Sequence, residues 1–259
     1  MSDLLVKRDN GVLSLTLNRP DRLNALSTDM REGILSELLS ELHAPSVRAV
    51  LMTGSGRGFC SGADLDLETI LARRQHIETQ ILGGINRVVQ ALRDLPVPVI
   101  SAVNGPAAGA GFSIVLASDI VIAAQSAKFH LSFARIGAVL DGGASSLLTH
   151  RIGASRTTAL AMLGGSMDSE TAKDWGLVHE VTEDDSLLDT ATELAQRLAS
   201  GPTVALGLIK REIAAAQSAS LDESLRLEAA CQSKAFNTQD FEEGVRAFGE
   251  NRKPNFLGH

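Results

Sequence analysis

Two glycine-rich turns, each directly after an apolar run, constrain this sequence more than any other feature. Residues 54–65 follow the strand-like run 47–52, and residues 104–111 follow the run 97–103 and open a helix-like segment. Small residues let a ligand approach the backbone, and the first turn of a helix carries N–H groups without an intrahelical partner. Two such turns at strand ends can bring two backbone N–H groups together. This geometry is typical of an oxyanion hole, whose donors stabilise charge that develops in a transition state.

Motifs along the whole chain resemble those of the enoyl-CoA hydratase/isomerase (crotonase) superfamily. The main ones are GFCSGADL at residues 58–65 and NGPAAGAGFS at 104–113, joined by LNRP at 17–20, WGLV at 175–178 and RKPNF at 252–256. The resemblance implies an α/β fold, a crotonase-like spiral of strand–strand–helix repeats with a C-terminal helical trimerisation region. It also implies an acyl-CoA thioester as the substrate. Coenzyme A is then part of the substrate, and we expect no separate cofactor or metal.

A change of pattern near Gly201 suggests one domain boundary. Before it strands and helices alternate, whereas after it the pattern is helical, with helices predicted at 204–217, 221–236 and 240–248. We therefore expect a spiral core at residues 1–200 for CoA-ester binding and catalysis, and a helical oligomerisation region at 201–259. The resemblance implies a homotrimer or a hexamer made of two trimers. The apolar helix faces would fit packing within one chain equally well.

Composition excludes several classes of partner. The chain carries 24 Lys+Arg against 31 Asp+Glu, a net charge of −7, which argues against nucleic acid as the main partner. Cys60 and Cys231 lie far apart in the sequence, so we expect reduced thiols and a cytoplasmic location. The N-terminal residues do not resemble a secretory signal, and no apolar stretch has the length of a membrane span. We expect no membrane partner.

Several polar residues are interpreted as structural. Ser27 or Thr28 is expected to cap a helix, and Asp168 or Ser169 another. Asp119 follows a buried helix-like run, so we expect its carboxylate to bind backbone N–H groups rather than to act in catalysis.

Both carboxylates of a hydratase site are missing. Hydratases of this family use two glutamates to position and activate a water molecule, and the matching positions here hold Ser113 and Phe133. A neutral hydroxyl and an aryl ring cannot activate water as that pair does. The sequence therefore argues against ordinary hydration. The resemblance leaves the backbone N–H groups of Ala63 and Ala110 as oxyanion donors for a thioester carbonyl.

Asp141 is the acid that remains close to these turns. The two glycines after it resemble the start of a helix, so its side chain could be an N-cap. In some relatives, such as 3,2-enoyl-CoA isomerases, ring-epoxide isomerases of phenylacetate degradation and 4-chlorobenzoyl-CoA dehalogenase, the working carboxylate occupies this position. We favour the catalytic interpretation. A single carboxylate suits isomerisation, because it can take a proton from C2 of a 3-enoyl-CoA and return it to C4. Apolar neighbours would raise its pKa.

The resemblance also implies how the substrate is bound. The loop around Arg22 covers the nucleotide, the first glycine turn binds adenine and pantetheine, and the C-terminal motif reaches the nucleotide of a neighbouring subunit. The implied binding residues are Arg22, Asn24, Ala25, Gly62, Asp64, Leu65, Gly109, Phe133, Lys253 and Phe256. The sequence leaves an alternative open for the basic residues among them: each could be a solvated charge on the surface that binds no ligand.

The leading hypothesis is therefore an acyl-CoA isomerase that converts a 3-enoyl-CoA to a 2-enoyl-CoA or performs a related ring isomerisation. One alternative is a hydratase-like protein with other acyl-CoA chemistry, including a nucleophilic Asp141 as in the aryl-CoA dehalogenase. The other is a CoA-ester-binding protein that has lost catalysis.

Overall fold

The computed structural model describes residues 2–64, 68, 71–72 and 74–259. Its strands are β1 (Leu4–Asp9), β2 (Val12–Leu17), β3 (Ala49–Gly54), β4 (Val99–Val103), β5 (Pro106–Ala108), β6 (Ile120–Ala124), β7 (Lys128–His130), β8 (Ser166–Asp168) and β9 (Glu180–Thr182). The helices used below are α1 (Thr28–His43), α2 (Ile77–Gly83), α3 (Ile85–Asp94), α4 (Ala110–Ala117), α5 (Ala144–Ile152), α6 (Ala154–Met162), α7 (Ser169–Asp174), α8 (Leu187–Ala199), α9 (Thr203–Ala216), α10 (Leu221–Phe236) and α11 (Gln239–Gly249).

The larger sheet is six-stranded, in the order β1-β2-β3-β4-β6-β9. All its pairs are parallel except β1–β2, an antiparallel hairpin that turns at Asn10 and Gly11. Both turn residues have a positive φ, as a tight hairpin turn of Asn-Gly requires. Because β3 and β4 are parallel neighbours, the segments that follow them leave the sheet at the same edge. The two glycine-rich turns are those segments.

A second sheet is three-stranded, with the order β5-β7-β8, and of its strands only β5 lies in a segment predicted as a glycine-rich turn. Strand β5 belongs to the second glycine turn and pairs in parallel with β7, and Ala107 also forms a bridge to Cys60 in the first turn. Buried backbone groups need hydrogen-bond partners, and these pairings supply them. Asp168 ends β8 and caps α7, since its carboxylate accepts a hydrogen bond from Thr171 N at 2.9 Å. The predicted cap is confirmed, although the strand before it was not predicted.

Helices cover both faces of the larger sheet, because the side chains along each strand alternate between them. On one face, Leu13, Leu15 and Leu17 of β2 pack in the main core with helices α1, α3 and α4. On the other face, a smaller cluster joins alternate strand residues to α8; its members include Val12, Ala49, Leu51, Ile100, Ile122, Leu187, Ala191 and Ala195. Burial on both faces explains why β3, β4 and β6 have near-continuous apolar sequences.

Lys210 of α9 attaches the C-terminal helices to this core. Its buried ammonium donates to Leu92 O at 2.8 Å and to Val97 O at 3.2 Å, and it pairs with Asp119 at 2.9 Å. Burial lowers the pKa of Lys210. The Asp119 carboxylate also accepts from Val99 N at 2.8 Å, so its predicted structural role is confirmed. The division into residues 1–200 and 201–259 stays a prediction. None of the described helices is both long and apolar enough to cross a bilayer.

Candidate active site

The two glycine turns touch through their backbones. Gly62 and Gly109 both have positive φ angles, +99° and +51°. A Cβ placed on Gly62 would lie 2.9 Å from Ala108 O and 3.6 Å from Ala110 N, and one placed on Gly109 would lie 3.9 Å from the Gly62 Cα. No side chain therefore separates the turns, and only glycine fits at these positions without strain.

The N–H groups of Ala63 and Ala110 are available to a ligand. Ala110 is the first residue of α4, so its N–H has no acceptor within the helix. In the part of the chain that the structure describes, neither N–H donates to a protein acceptor, whereas Gly109 N donates to His130 O at 3.3 Å. The positive end of the helix dipole favours negative charge at this point. Two adjacent donors of this kind can stabilise an oxygen that becomes negative.

Asp141 is not a helix cap. The N-cap of α5 is Gly143, which has a φ of +75° and makes no side-chain cap hydrogen bond. The Asp141 carboxylate instead has a buried Oδ1 without a hydrogen-bond partner among the described residues. Burial raises its pKa to about 6. The capping alternative is therefore wrong, and the structure presents a half-buried carboxylate with nothing of the described protein bound to that oxygen.

Ser113 connects Asp141 to the second glycine turn. Its buried hydroxyl lies 3.0 Å from Asp141 O and 3.4 Å from Gly109 O. The Phe133 ring stands on the same turn, with its Cζ 3.8 Å from the position of a Cβ on Gly109. The structure thus brings together Ala63, Ala110, Phe133 and Asp141. The sequence identified Ser113 only as a missing acid, and its hydrogen bond to Asp141 was not foreseen.

The loop before α1 carries two arginines whose positive charge is partly neutralised by Asp64. Arg19 and Arg22 bind the Asp64 carboxylate at 2.8 and 3.2 Å, and the two guanidinium groups lower the pKa of Asp64, with Arg19 the larger cause. The Arg22 side chain is 62% exposed and borders a pocket of about 300 Å³ lined by residues 18–22. Arg22 can therefore reach an anion in solvent, whereas Arg19 is held by the protein.

The Asn24 side chain is entirely occupied by the protein. Its Oδ1 accepts from Arg19 N at 2.8 Å, and its Nδ2 donates to Ser55 O at 2.9 Å and to Gly58 O at 2.7 Å. It is fully buried, so it holds the loop against the first glycine turn and cannot contact a ligand as implied. The Ala25 carbonyl likewise accepts from Arg19 Nη1 at 2.7 Å. A ligand at this loop would therefore contact groups other than the Asn24 side chain and the Ala25 carbonyl.

The C-terminal residues lie away from this site in the same chain. Phe256 O accepts from the Arg48 guanidinium at 3.2 Å, and Arg48 precedes β3, whereas the first glycine turn follows it. The Phe256 ring packs against Gly244 of α11. The structure therefore does not bring Lys253 and Phe256 together with Asp141, and their implied contact with a neighbouring subunit stays a prediction. Leu65 lies outside the described residues. Within those residues, no three His, Cys, Asp or Glu side chains are grouped as metal ligands.

Comparisons with known proteins agree with this geometry. The family model for enoyl-CoA hydratase/isomerase matches residues 7–259. The 1,2-epoxyphenylacetyl-CoA isomerase of Escherichia coli (strain K12) is 41% identical over 260 residues, 100% of this chain and 99% of its own. The "Probable enoyl-CoA hydratase" of Rhodobacter capsulatus is 39% identical, over 96% of this chain and 95% of its own.

Among solved structures, the enoyl-CoA hydratase from Bacillus anthracis superimposes with a TM-score of 0.93 at 30% identity, over 99% of this chain and 100% of its own. The predicted crotonase-like α/β fold is thereby confirmed, and the resemblance extends over the whole chain. The chain belongs to the enoyl-CoA hydratase/isomerase family.

Proposed function

We propose that this protein is an acyl-CoA isomerase that shifts a double bond through an enolate, with Asp141 as the acid and base. One observation carries the proposal: Asp141 has a half-buried carboxylate with a pKa raised to about 6, and its backbone carbonyl is held by the hydroxyl of Ser113, which also lies 3.4 Å from the Gly109 carbonyl in the turn that carries the Ala110 N–H group. A carboxylate in this state is mostly ionised at pH 7 and is a stronger base than an ordinary aspartate.

The reaction follows from the positions of the donors and the base. The thioester oxygen lies between the N–H groups of Ala63 and Ala110. Asp141 removes a proton from C2 of a 3-enoyl-CoA, and the electron pair of the C–H bond moves toward the carbonyl, whose oxygen becomes negative. The enolate then collapses as C4 takes the proton back from Asp141. The product is the conjugated 2-enoyl-CoA, and no water is consumed.

Hydration would need a second acid or base, and the described residues around Asp141, Ala63 and Ala110 do not offer one. The Ser113 hydroxyl is engaged with backbone carbonyls, and Phe133 presents an aryl ring where the family's hydratases hold a glutamate. An enzyme with one carboxylate and two backbone donors is suited to proton transfer within the substrate. The E. coli relative is by its name an isomerase of a ring substrate, 1,2-epoxyphenylacetyl-CoA. This name supports a ring isomerisation as a further form of the proposed activity.

The test is hydrogen exchange at C2 in heavy water together with formation of the conjugated product. Linear 3-enoyl-CoA and 1,2-epoxyphenylacetyl-CoA are both supplied to the wild type and to Asp141→Asn. We expect the variant to lose exchange and isomerisation by about 10²- to 10⁴-fold while it keeps CoA-ester binding. Asp174→Asn, an exposed aspartate at the end of α7, is the matched control and is expected to behave as the wild type.

Three other results would contradict this proposal. Equal exchange in the wild type and in Asp141→Asn would mean that another group is the base. Addition of water to a 2-enoyl-CoA at a comparable rate would favour the hydratase alternative. Binding of CoA esters without exchange or product would favour a protein that has lost catalysis.

We further propose that the protein assembles as a homotrimer or as a hexamer of two trimers in the cytoplasm. The C-terminal helices leave large apolar side chains exposed in the single chain, namely Ile209, Ile213, Leu225, Val245 and Phe248. Exposed apolar groups of this size support an interface between copies. Cys60 and Cys231 are both buried and free, which suits a reducing compartment. Light scattering on the purified protein measures the assembly, and a monomer at micromolar concentration would contradict it.

A further inference from the structure

The Ser113 hydroxyl lies between the two halves of the candidate site. It is 3.0 Å from the carbonyl oxygen of Asp141 and 3.4 Å from that of Gly109. A hydroxyl has one proton to donate, and the shorter distance assigns it to Asp141. The Ser113 side chain is completely buried, so water does not compete for this bond. A single side chain of α4 thus joins the loop of the carboxylate to the turn that carries the Ala110 donor.

The backbone of the same loop lies directly on Ser113. Gly142 has a φ of +55°, and a Cβ placed on it would be 2.7 Å from Ser113 Cβ and 3.0 Å from Ser113 Oγ. Ile85 of α3 closes the other side at 3.2 Å. The loop and α4 are therefore in close contact at Ser113, and position 142 has room for glycine only.

We propose that Ser113 is a positioning residue for Asp141: its hydroxyl fixes the Asp141 backbone relative to the oxyanion turn. This inference rests on the proposed isomerase function. The Asp141 Oδ1 has no hydrogen-bond partner among the described residues, so the direction of the carboxylate depends on where its backbone is held. Asp141 O also accepts from Ala144 N at 3.0 Å, but that bond stays within the loop and the start of α5. The hydrogen bond from Ser113 instead connects Asp141 to a different element, helix α4.

Ser113→Ala removes the hydroxyl and leaves Asp141 O with its bond from Ala144 N. We expect kcat for isomerisation to fall about tenfold, the scale of one lost hydrogen bond, while KM changes less than about twofold. The acid limb of the kcat/KM profile, where activity falls on the low-pH side, lies near pH 6 in the wild type and should move to lower pH. The raised pKa of Asp141 has burial as its cause, with no charged group of the described residues contributing, and a loosened loop admits water. Ser113→Cys introduces a weaker donor of similar size, so its kcat and its acid limb should lie between those of the wild type and those of Ser113→Ala.

Ser118→Ala is the matched control. Ser118 is also buried, follows the same helix, and bonds to the Ser101 hydroxyl at 2.7 Å without touching the Asp141 loop. Ser118→Ala should lose stability, but its kcat and the position of its acid limb should be those of the wild type. Circular dichroism verifies that each variant is folded.

The outcomes separate this inference from the proposed function. If the wild type isomerises with an acid limb near pH 6 and both Ser113 variants keep that limb, the positioning role is refuted and the isomerase function stands. If Ser118→Ala moves the limb as far as Ser113→Ala, general loosening explains the result and the positioning role is again refuted. A wild type that neither exchanges nor isomerises would overturn the proposed function and this inference with it.

Discussion

Replacing Gly142 by alanine tests the contact between the Asp141 loop and helix α4. The φ of Gly142 is +55°, a left-handed conformation that L residues adopt at a cost. The new Cβ would also lie 2.7 Å from Ser113 Cβ, closer than carbon atoms approach without a shift. Two separate penalties therefore act at this position. The neighbouring Gly143 carries only the first, because its φ is +75° and its closest contact would be Leu147 Cδ1 at an ordinary 3.5 Å.

The difference between the two variants can be worked out from these contacts. The left-handed conformation costs about 1–2 kcal/mol for an L residue, and overpacking of a tight core site costs about 1–3 kcal/mol more. Gly143→Ala should then lower the free energy of unfolding by about 1–2 kcal/mol, and Gly142→Ala by about 2–5 kcal/mol. The clash also displaces Asp141, so kcat should fall more in Gly142→Ala than in Gly143→Ala.

Urea unfolding at matched protein concentration measures the stabilities, and product formation from a 3-enoyl-CoA measures kcat. Both variants are compared with the wild type at the same pH. Equal losses of stability and of activity in Gly142→Ala and Gly143→Ala would refute the reasoning, because they would show that the loop does not press on Ser113. If Gly142→Ala loses stability but keeps its kcat, the clash affects packing without displacing the Asp141 carboxylate.

Two further predictions concern buried charges. Because the folded pKa of Asp141 is raised from 3.8 to about 6, the native state holds a proton there that the unfolded state has released, and stability falls as pH rises through this window. Asp141→Asn should therefore raise the free energy of unfolding by about 1–3 kcal/mol at pH 7 and change it little near pH 3.5, as measured by urea unfolding at both pH values. Lys210→Met should destabilise the protein by about 3–5 kcal/mol, because Asp119 and the carbonyls of Leu92 and Val97 lose their buried donor; a loss below about 1 kcal/mol in the same assay would contradict this role.

The sequence predicts the long, strongly patterned elements well. Helix α10 spans Leu221–Phe236 as predicted, because Ser220 and Glu223 form a capping box at its start. Ser27, one of the two residues expected to cap a helix, caps α1 through a hydrogen bond from Met30 N at 3.1 Å. In each case the signal lies within a few residues of the element. Strand β1 was not predicted, although Asn10-Gly11 is a recognised hairpin signal.

Short strands and distant contacts could not be predicted in this way. Strands β5, β7 and β8 have three residues each, too few for a periodic pattern, and each exists because a partner far along the chain accepts its hydrogen bonds. The same holds for the site. A family resemblance can align Asp141 with a working carboxylate, but a sequence does not state that the Ser113 hydroxyl meets its carbonyl. The sequence does predict apolar neighbours that raise the pKa of Asp141, and the structure adds that burial of the carboxylate is the cause.

The backbone pairings of the glycine turns determine when activity can return during refolding. Ala63 is paired with Leu26, Cys60 with Ala107, and β5 with β7, so the donors are in place only when chain segments of large sequence separation have met. Parallel pairings of this kind close long loops and form slowly. Recovery of catalysis should therefore lag behind recovery of helical circular dichroism during refolding. The two N–H groups of Ala63 and Ala110 therefore come together only in the completed topology, and we expect a shortened chain that keeps its helices but loses one of these pairings to be partly folded and inactive.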